Sequence, residues 1–160
     1  MFSLLRHKTS PSDLLTSKLY DEKSFYASFI HDLKRCKHEV IIESPYLATK
    51  RVATLEPILR RLISRGVKIT VNTRFPGHHD ELLRIQGWMA TKTLKNIGVK
   101  VRLFNDYHHR KIAVLDGKIL WEGSLNILSQ SHSREVMRRI ESEQLTKQMI
   151  HFLGLKRFYW

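Results

Sequence analysis

The sequence predicts an α/β protein with a mixed, largely parallel sheet and helices on both faces, in β-α-β-α-β-β-β-β-α order. Three observations carry this. From Asp21 to Phe104, segments with apolar residues at helical spacing alternate with short apolar runs, the rhythm of right-handed crossovers between parallel strands. After Phe104 three strand-like runs follow in close succession, with only Asp116-Gly117 between the first two, a tight hairpin signal. At 160 residues and 42% hydrophobic content, the chain suffices for one domain with a substantial core.

Residues 1–20 show no strong period and contain Ser-Pro-Ser, so they read as an arm or linker. In Asp21 to Lys37, Phe25, Tyr26, Phe29, Ile30 and Leu33 recur at helical spacing and predict an amphipathic helix. "EVIIE" (39–43) reads as a short buried strand ending at Ser44-Pro45. Leu55, Ile58, Leu59, Leu62 and Ile63 form one face of a second helix; Thr54 is the expected cap, Pro57 falls in its first turn and Gly66 closes it. "VKITVNT" alternates as a strand. After a Pro-Gly turn, Asp80 caps a helix to about Asn96, closed by Gly98, and "VKVRLF" is the next strand. "RKIAVLD", "KILWEGS" and "EVMRRIE" complete the strands, and a helix from about Ser142 to Leu153 follows. The domain is thus expected over 21–154, with 155–160, "LKRFYW", as a basic-aromatic tail: a hydrophobic anchor or an end exposed by truncation.

The 28 Lys+Arg against 15 Asp+Glu give +13 with His neutral, which favours a polyanionic partner, nucleic acid or an anionic membrane surface. The single cysteine, Cys36, excludes an internal disulfide framework and agrees with a reducing compartment; its helical context makes it a core residue. There is no signal-peptide run and no stretch of about 18 apolar residues. The expectation is a soluble, cytoplasmic protein without stable membrane association.

The chemistry concentrates in "YHHRKIAVLDGKILWEGSLNI", Tyr107 to Ile127. Side chains two apart on a strand share a face, so His109 goes with Lys111, and His108 with Arg110. Ser124 and Asn126 form a second same-face pair, returned by the hairpin. A sheet covered by helices has little reason to gather an imidazole, an ammonium, a hydroxyl and a carboxamide; a bound anion supplies one. For a phosphate, Lys111 and Asn126 can donate to non-bridging oxygens, Ser124 can orient, and His109 can attack phosphorus or protonate a leaving oxygen. A nucleophilic histidine needs an acceptor on its other ring nitrogen, and Glu135 is the candidate. This chemistry calls for no metal and no cofactor.

The pattern His109-x-Lys111-x4-Asp116-x6-Gly123-Ser124-x-Asn126 resembles the HKD signature of the phospholipase D superfamily at every fixed position and spacing. From about Tyr20 to Phe152 the chain resembles that family's short single-motif bacterial nucleases: "IIESPYL" is similar to the first strand and its active-site loop, "LISRGVKITV" to the first helix-to-strand passage, and "EVMRRI" to the strand of the supporting glutamate. The resemblance implies a phospholipase D-like fold and a metal-independent phosphodiesterase working through a phosphohistidine. It implies that Asp116, with Gly123, is a structural member of the motif. It also implies a homodimer, because the family joins two HKD sets across a twofold axis and this chain carries one.

Several residues have blander explanations. His108 faces away from Lys111 and reads as a structural or surface histidine. His78 and His79 beside Asp80 suit a polar loop before a helix cap better than a metal site, since no third and fourth ligand has the right spacing. Tyr46 is a candidate to line the site, although Ser-Pro-Tyr turn chemistry accounts for it equally well. Arg60, Arg61 and Arg65 read as a solvated helix face. Arg110 and Arg138, with Arg102 and Arg139, lie in strands near the motif and are the candidates for contacting substrate phosphates. The expected function is hydrolysis of DNA or RNA, DNA being favoured. The rivals are a phospholipid phosphodiesterase, a non-catalytic nucleic-acid-binding module, and a catalytic module of a larger restriction- or helicase-type protein.

Overall fold

The structure is a computed structural model that describes residues 14–157. Seven strands form one sheet in the order β1-β7-β6-β5-β2-β3-β4: β1 Lys18–Asp21, β2 Glu39–Glu43, β3 Lys68–Arg74, β4 Lys100–Phe104, β5 Ile112–Leu115, β6 Ile119–Gly123 and β7 Val136–Glu141. The helices are α1 Phe25–Arg35, α2 Thr49–Ser64, α3 Glu81–Asn96 and α4 Glu143–Leu153, with a 3-10 turn at Pro76–His78.

Alternation along β2 sorts its side chains between two cores. Val40 and Ile42 join Phe25, Phe29 and Leu33 of α1, Leu55 and Leu59 of α2 and Leu94 of α3 in the larger core. Ile41 faces the other way and packs with Ile112, Val114, Leu120, Ile140 and Ile150 of α4. Helices therefore cover both faces, as the sequence predicts.

The mixed sheet is less parallel than expected. β2 runs parallel to β3, and β3 to β4, whereas β2–β5, β5–β6, β6–β7 and β7–β1 are antiparallel. The reason is that β5 does not extend the sheet beyond β4; it returns to the middle and pairs antiparallel with β2, and the short β5–β6 loop makes β6 its antiparallel neighbour. The β5–β6 hairpin turns where Asp116-Gly117 predicts it. Both residues have positive φ, 52° and 64°, and Lys118 N–H donates to the Leu115 carbonyl at 3.0 Å; they form a tight turn within the three-residue loop 116–118 that joins the paired Leu115 and Ile119.

Boundaries shift for local reasons. The sheet takes in Lys18–Tyr20 of the segment read as an arm, because Tyr20 packs its ring 4.9 Å from that of Trp121; two-residue alternation over four mostly exposed residues left no clear period. Helix α1 begins at Phe25 rather than near Asp21, since the Asp21 carboxylate accepts from Lys23 N–H, Ser24 N–H and Ser24 Oγ at 3.1, 2.9 and 2.6 Å and holds a turn there. Helix α2 starts at Thr49, so Thr54 is internal, its Oγ1 donating back to the Lys50 carbonyl at 2.9 Å. Pro57 thus lies inside the helix rather than in its first turn; it and Ala53, whose carbonyl it leaves without an intrahelical donor, are both exposed, so water can serve that oxygen. Asp80 caps α3 as expected, and Ser142, read as the start of the last helix, caps α4; they accept from Leu83 N–H and Leu145 N–H at 3.2 Å each. Cys36 is buried just past α1. Leu155 is buried, and Arg157 pairs with Glu39 at 2.7 Å, so the start of the predicted tail is part of the fold; Phe158 to Trp160 lie outside the described residues. Among the described residues no helix is long and apolar enough to cross a membrane.

Candidate active site

The segment from Asn105 to Lys111 has no regular secondary structure and feeds directly into β5. Its residues still alternate. His109 is exposed and His108 buried, so neighbouring imidazoles point to opposite environments. Burial of Ile112 to Leu115, with Ile112 and Val114 on one core and Ala113 and Leu115 on the other, anchors the strand and thereby the polar residues before it.

His109, Lys111, Ser124, Asn126 and Glu135 line one open cavity of about 530 Å³, with Arg110 and Gly123 also on its wall. Every residue expected to do chemistry is in that set. Lys111 Nζ lies 2.6 Å from His109 Nδ1 and donates to the His109 carbonyl at 2.6 Å. Partial burial, then the Lys111 charge, then Arg74 hold the His109 imidazole below its ordinary range. The ring is therefore biased toward its neutral, nucleophilic form. Lys111 is itself lowered by burial, and the Glu135 carboxylate works against that shift.

Ser124 is held by β7: its N–H donates to the Val136 carbonyl at 3.0 Å, and its Oγ accepts from Val136 N–H at 3.1 Å. Gly123 before it has no room for a side chain. A Cβ there would stand 2.8 Å from Met137 Sδ and 2.9 Å from Met137 Cα, because Gly123 is paired with Met137 in the β6–β7 ladder. Asn126 sits between Leu125 and Ile127, both fully buried, and its carbonyl accepts from Ser129 and Gln130 N–H at 3.0 and 2.8 Å. Its buried side-chain oxygen has no hydrogen-bond partner. Glu135 reaches the cavity, but its Oε1 accepts from Ser133 Oγ at 2.6 Å, and the His109 ring is hydrogen-bonded to Lys111.

Asp116 stands apart from the cavity. Its carboxylate accepts from three successive N–H groups, Lys37, His38 and Glu39, at 2.8, 2.9 and 2.9 Å. It thus ties the hairpin turn to the start of β2.

The expected substrate contacts divide. Arg110 is on the cavity wall, with Nε 3.6 Å from Glu43 Oε2. The Tyr46 ring stands edge-on to His109 at 6.1 Å between centroids and lies 4.9 Å from His79. Arg138 is not on the cavity wall; its guanidinium donates to Ser17 Oγ at 2.6 Å. Arg139 is committed to Asp32 at 2.7 and 3.1 Å and to Glu141 at 3.0 Å, and Arg102 lines a separate groove beside α4. The Arg138 and Arg139 guanidiniums are claimed by acceptors far away in sequence, Ser17 and Asp32. Arg60 pairs with Glu56 on the exposed side of α2, as a solvated face would. Among the described residues no three His, Cys, Asp or Glu side chains gather into a set that could hold a metal ion.

Sequence reasoning missed the supports beneath the site. Glu43 is buried and accepts from Asn72 Nδ2 at 3.0 Å. His108 stacks on Phe104 at 4.9 Å and 15°, with Nε2 3.6 Å from Glu43 Oε2; burial pushes its imidazole below the ordinary range against the opposing pull of Glu43. Ser44 Oγ accepts from Leu128 N–H at 3.1 Å and Arg51 donates to the Gln130 carbonyl at 2.9 Å, joining the loop after β2 and the first turn of α2 to the loop that carries Asn126. The acidic end of an otherwise apolar strand, "EVIIE", was the available signal for Glu43.

The chain matches the family described as cardiolipin synthase, PLD-like domain, over residues 29–154. No curated protein matches it at the sequence level. Among solved structures it is similar to Nuc, a phospholipase D family member from Salmonella typhimurium, with 16% identity, TM-score 0.70, and coverage of 87% of this chain and 91% of that one. It is also similar to NucT from Helicobacter pylori, at 18% identity and TM-score 0.67, over 86% and 92% of the two chains. Phosphatidylserine synthase from Haemophilus influenzae has TM-score 0.63 and 16% identity, covering 86% of this chain but 38% of that one. With His109, Lys111, Ser124 and Asn126 gathered on one cavity and the family model spanning most of the chain, the protein belongs to the phospholipase D superfamily and is a phosphodiesterase-type enzyme.

Proposed function

We propose that the protein is a nuclease that hydrolyses phosphodiester bonds in nucleic acid, DNA in preference to RNA, without a metal ion, in a site shared by two subunits. The observation that carries this reading is the convergence of His109, Lys111, Ser124, Asn126 and Glu135 on one open cavity.

In the first step a ring nitrogen of His109 attacks phosphorus while the bond to the leaving oxygen breaks, and the partner's His109 gives that oxygen its proton. In the second step the partner's His109 takes a proton from water, the resulting hydroxide attacks phosphorus, and the N–P bond breaks. Lys111 and Asn126 hold the non-bridging oxygens, Ser124 helps to orient them, and Glu135 positions the imidazole once the pair is assembled. One HKD set per chain supplies half of this machinery, which is the reason for the homodimer. The excess of 28 basic over 15 acidic residues favours a polyanionic backbone, because phosphate contacts supply most affinity that is independent of sequence.

The test is plasmid DNA with excess EDTA, wild type beside His109→Ala. Cleavage by the wild type alone supports the reading, and equal outcomes for the two proteins refute it. The similarity to a phosphatidylserine synthase makes a phospholipid diester the second candidate substrate. Turnover of anionic lipid vesicles with no cleavage of DNA or RNA would select it.

A further inference from the structure

Beyond the cavity, one patch at the site's rim has no role in the chemistry above. Tyr107, two residues before His109, is 88% exposed. Its ring lies over the Arg74 guanidinium, 5.2 Å from Cζ to centroid. Arg74 ends β3, the neighbour of β2, and its positive charge is felt at both His109 and His79. Its Nε is buried without a hydrogen-bond partner. On the same rim the Tyr46 ring bridges His109 and His79. A large ring left almost wholly in water, backed by a cation beside the nucleophile, costs solvation and does nothing for the core.

We propose that Tyr107, with Arg74 beneath it and the Tyr46–His79 pair alongside, is a stacking shelf for a nucleobase next to the scissile phosphate, and that it directs the enzyme to single-stranded nucleic acid. This rests on the nuclease reading above and deepens it. In a duplex both faces of every internal base are covered by neighbouring pairs, so an exposed tyrosine has nothing to stack on. In a single strand each base offers a π-face whatever its identity, and aromatic side chains beside a basic groove take it up without reading sequence. Arg74 can add a contact to the adjoining phosphate. The combination selects strand form and not sequence.

The experiment compares kcat/KM on a single-stranded oligonucleotide and on the same sequence as a duplex, at one salt concentration. The wild type is expected to favour the single strand at least tenfold. Tyr107→Ala is expected to lower that ratio about tenfold, mainly through KM on the single strand, while Tyr107→Phe, which keeps the ring, retains it. Phe152→Ala, an exposed aromatic on α4, controls for loss of any surface ring and should leave the ratio unmoved. Equal rates on the two forms, or a ratio that Tyr107→Ala does not move, overturn the shelf and leave the nuclease reading standing. A wild type that hydrolyses bis-para-nitrophenyl phosphate but neither strand form overturns the nuclease reading and the shelf with it.

Discussion

Replacing Asp116 separates the motif's structural role from its chemistry. The Asp116 carboxylate accepts three N–H donors within 2.9 Å, and its own N–H donates to the Glu39 carbonyl at 2.8 Å. Hydrogen bonds to a charged group contribute about 1.5–3 kcal/mol each when removal leaves the partner unsatisfied. Glu39 is buried, so its N–H bears the full loss, whereas Lys37 and His38 are exposed and water can replace much of theirs. Asp116→Ala should therefore cost about 2–4 kcal/mol, including the penalty for alanine at φ 52°, a fall in Tm on the order of 8 °C. Asp116→Asn tolerates that backbone and keeps one accepting oxygen, so it should cost about 1–2 kcal/mol. Urea unfolding followed by far-UV circular dichroism gives both values. Folded Asp116→Asn should also hydrolyse substrate within about threefold of wild type. A loss below about 1 kcal/mol for Asp116→Ala, or abolished hydrolysis in Asp116→Asn at unchanged stability, would refute the structural assignment.

Three further outcomes follow from the site. Gly123→Ala puts a Cβ against Met137 across the β6–β7 ladder; it should lose about 1–3 kcal/mol and displace Ser124, so kcat should fall by at least tenfold in steady-state assays of folded protein, and unchanged kinetics would contradict the close approach. His109 lies below its ordinary range of about 6.5, and in the proposed mechanism it attacks as the neutral ring, so the acid limb of kcat/KM should have its midpoint below pH 6.5; a midpoint above it would be inconsistent with that proposal. In Lys111→Met the neighbouring charge is gone, and the His109 ring resonances in NMR titration should move to higher pKa; a downward move would show that Lys111 does not set that environment.

Much of the fold is legible because its signals are local. Asp116-Gly117 specifies its turn through two positive φ angles, and Asp80 and Ser142 cap helices through bonds spanning three residues. The spacing from His109 to Asn126 likewise works within one hairpin: β5 and β6 bring His109 and Lys111, just before it, and Ser124 and Asn126, just after it, to one cavity. That the chain carries a single HKD motif is a matter of counting.

Other features depend on groups far apart in the chain. Whether β5 joins the edge at β4 or inserts beside β2 is settled by which pairing buries Ile112 to Leu115 between two cores, and no local pattern records that choice. Asp32 gathers Trp121 and Arg139 from across the sheet, and Ser17 takes Arg138; a guanidinium in the sequence is a candidate phosphate ligand until a distant acceptor claims it. The same holds for Glu43 beneath His108 and for Tyr107 over Arg74. The sequence by itself determined the motif and its single occurrence, because those reside in short, fixed spacings. Tertiary structure alone decided which charges and rings remain available around it, because burial and pairing are properties of the packed chain.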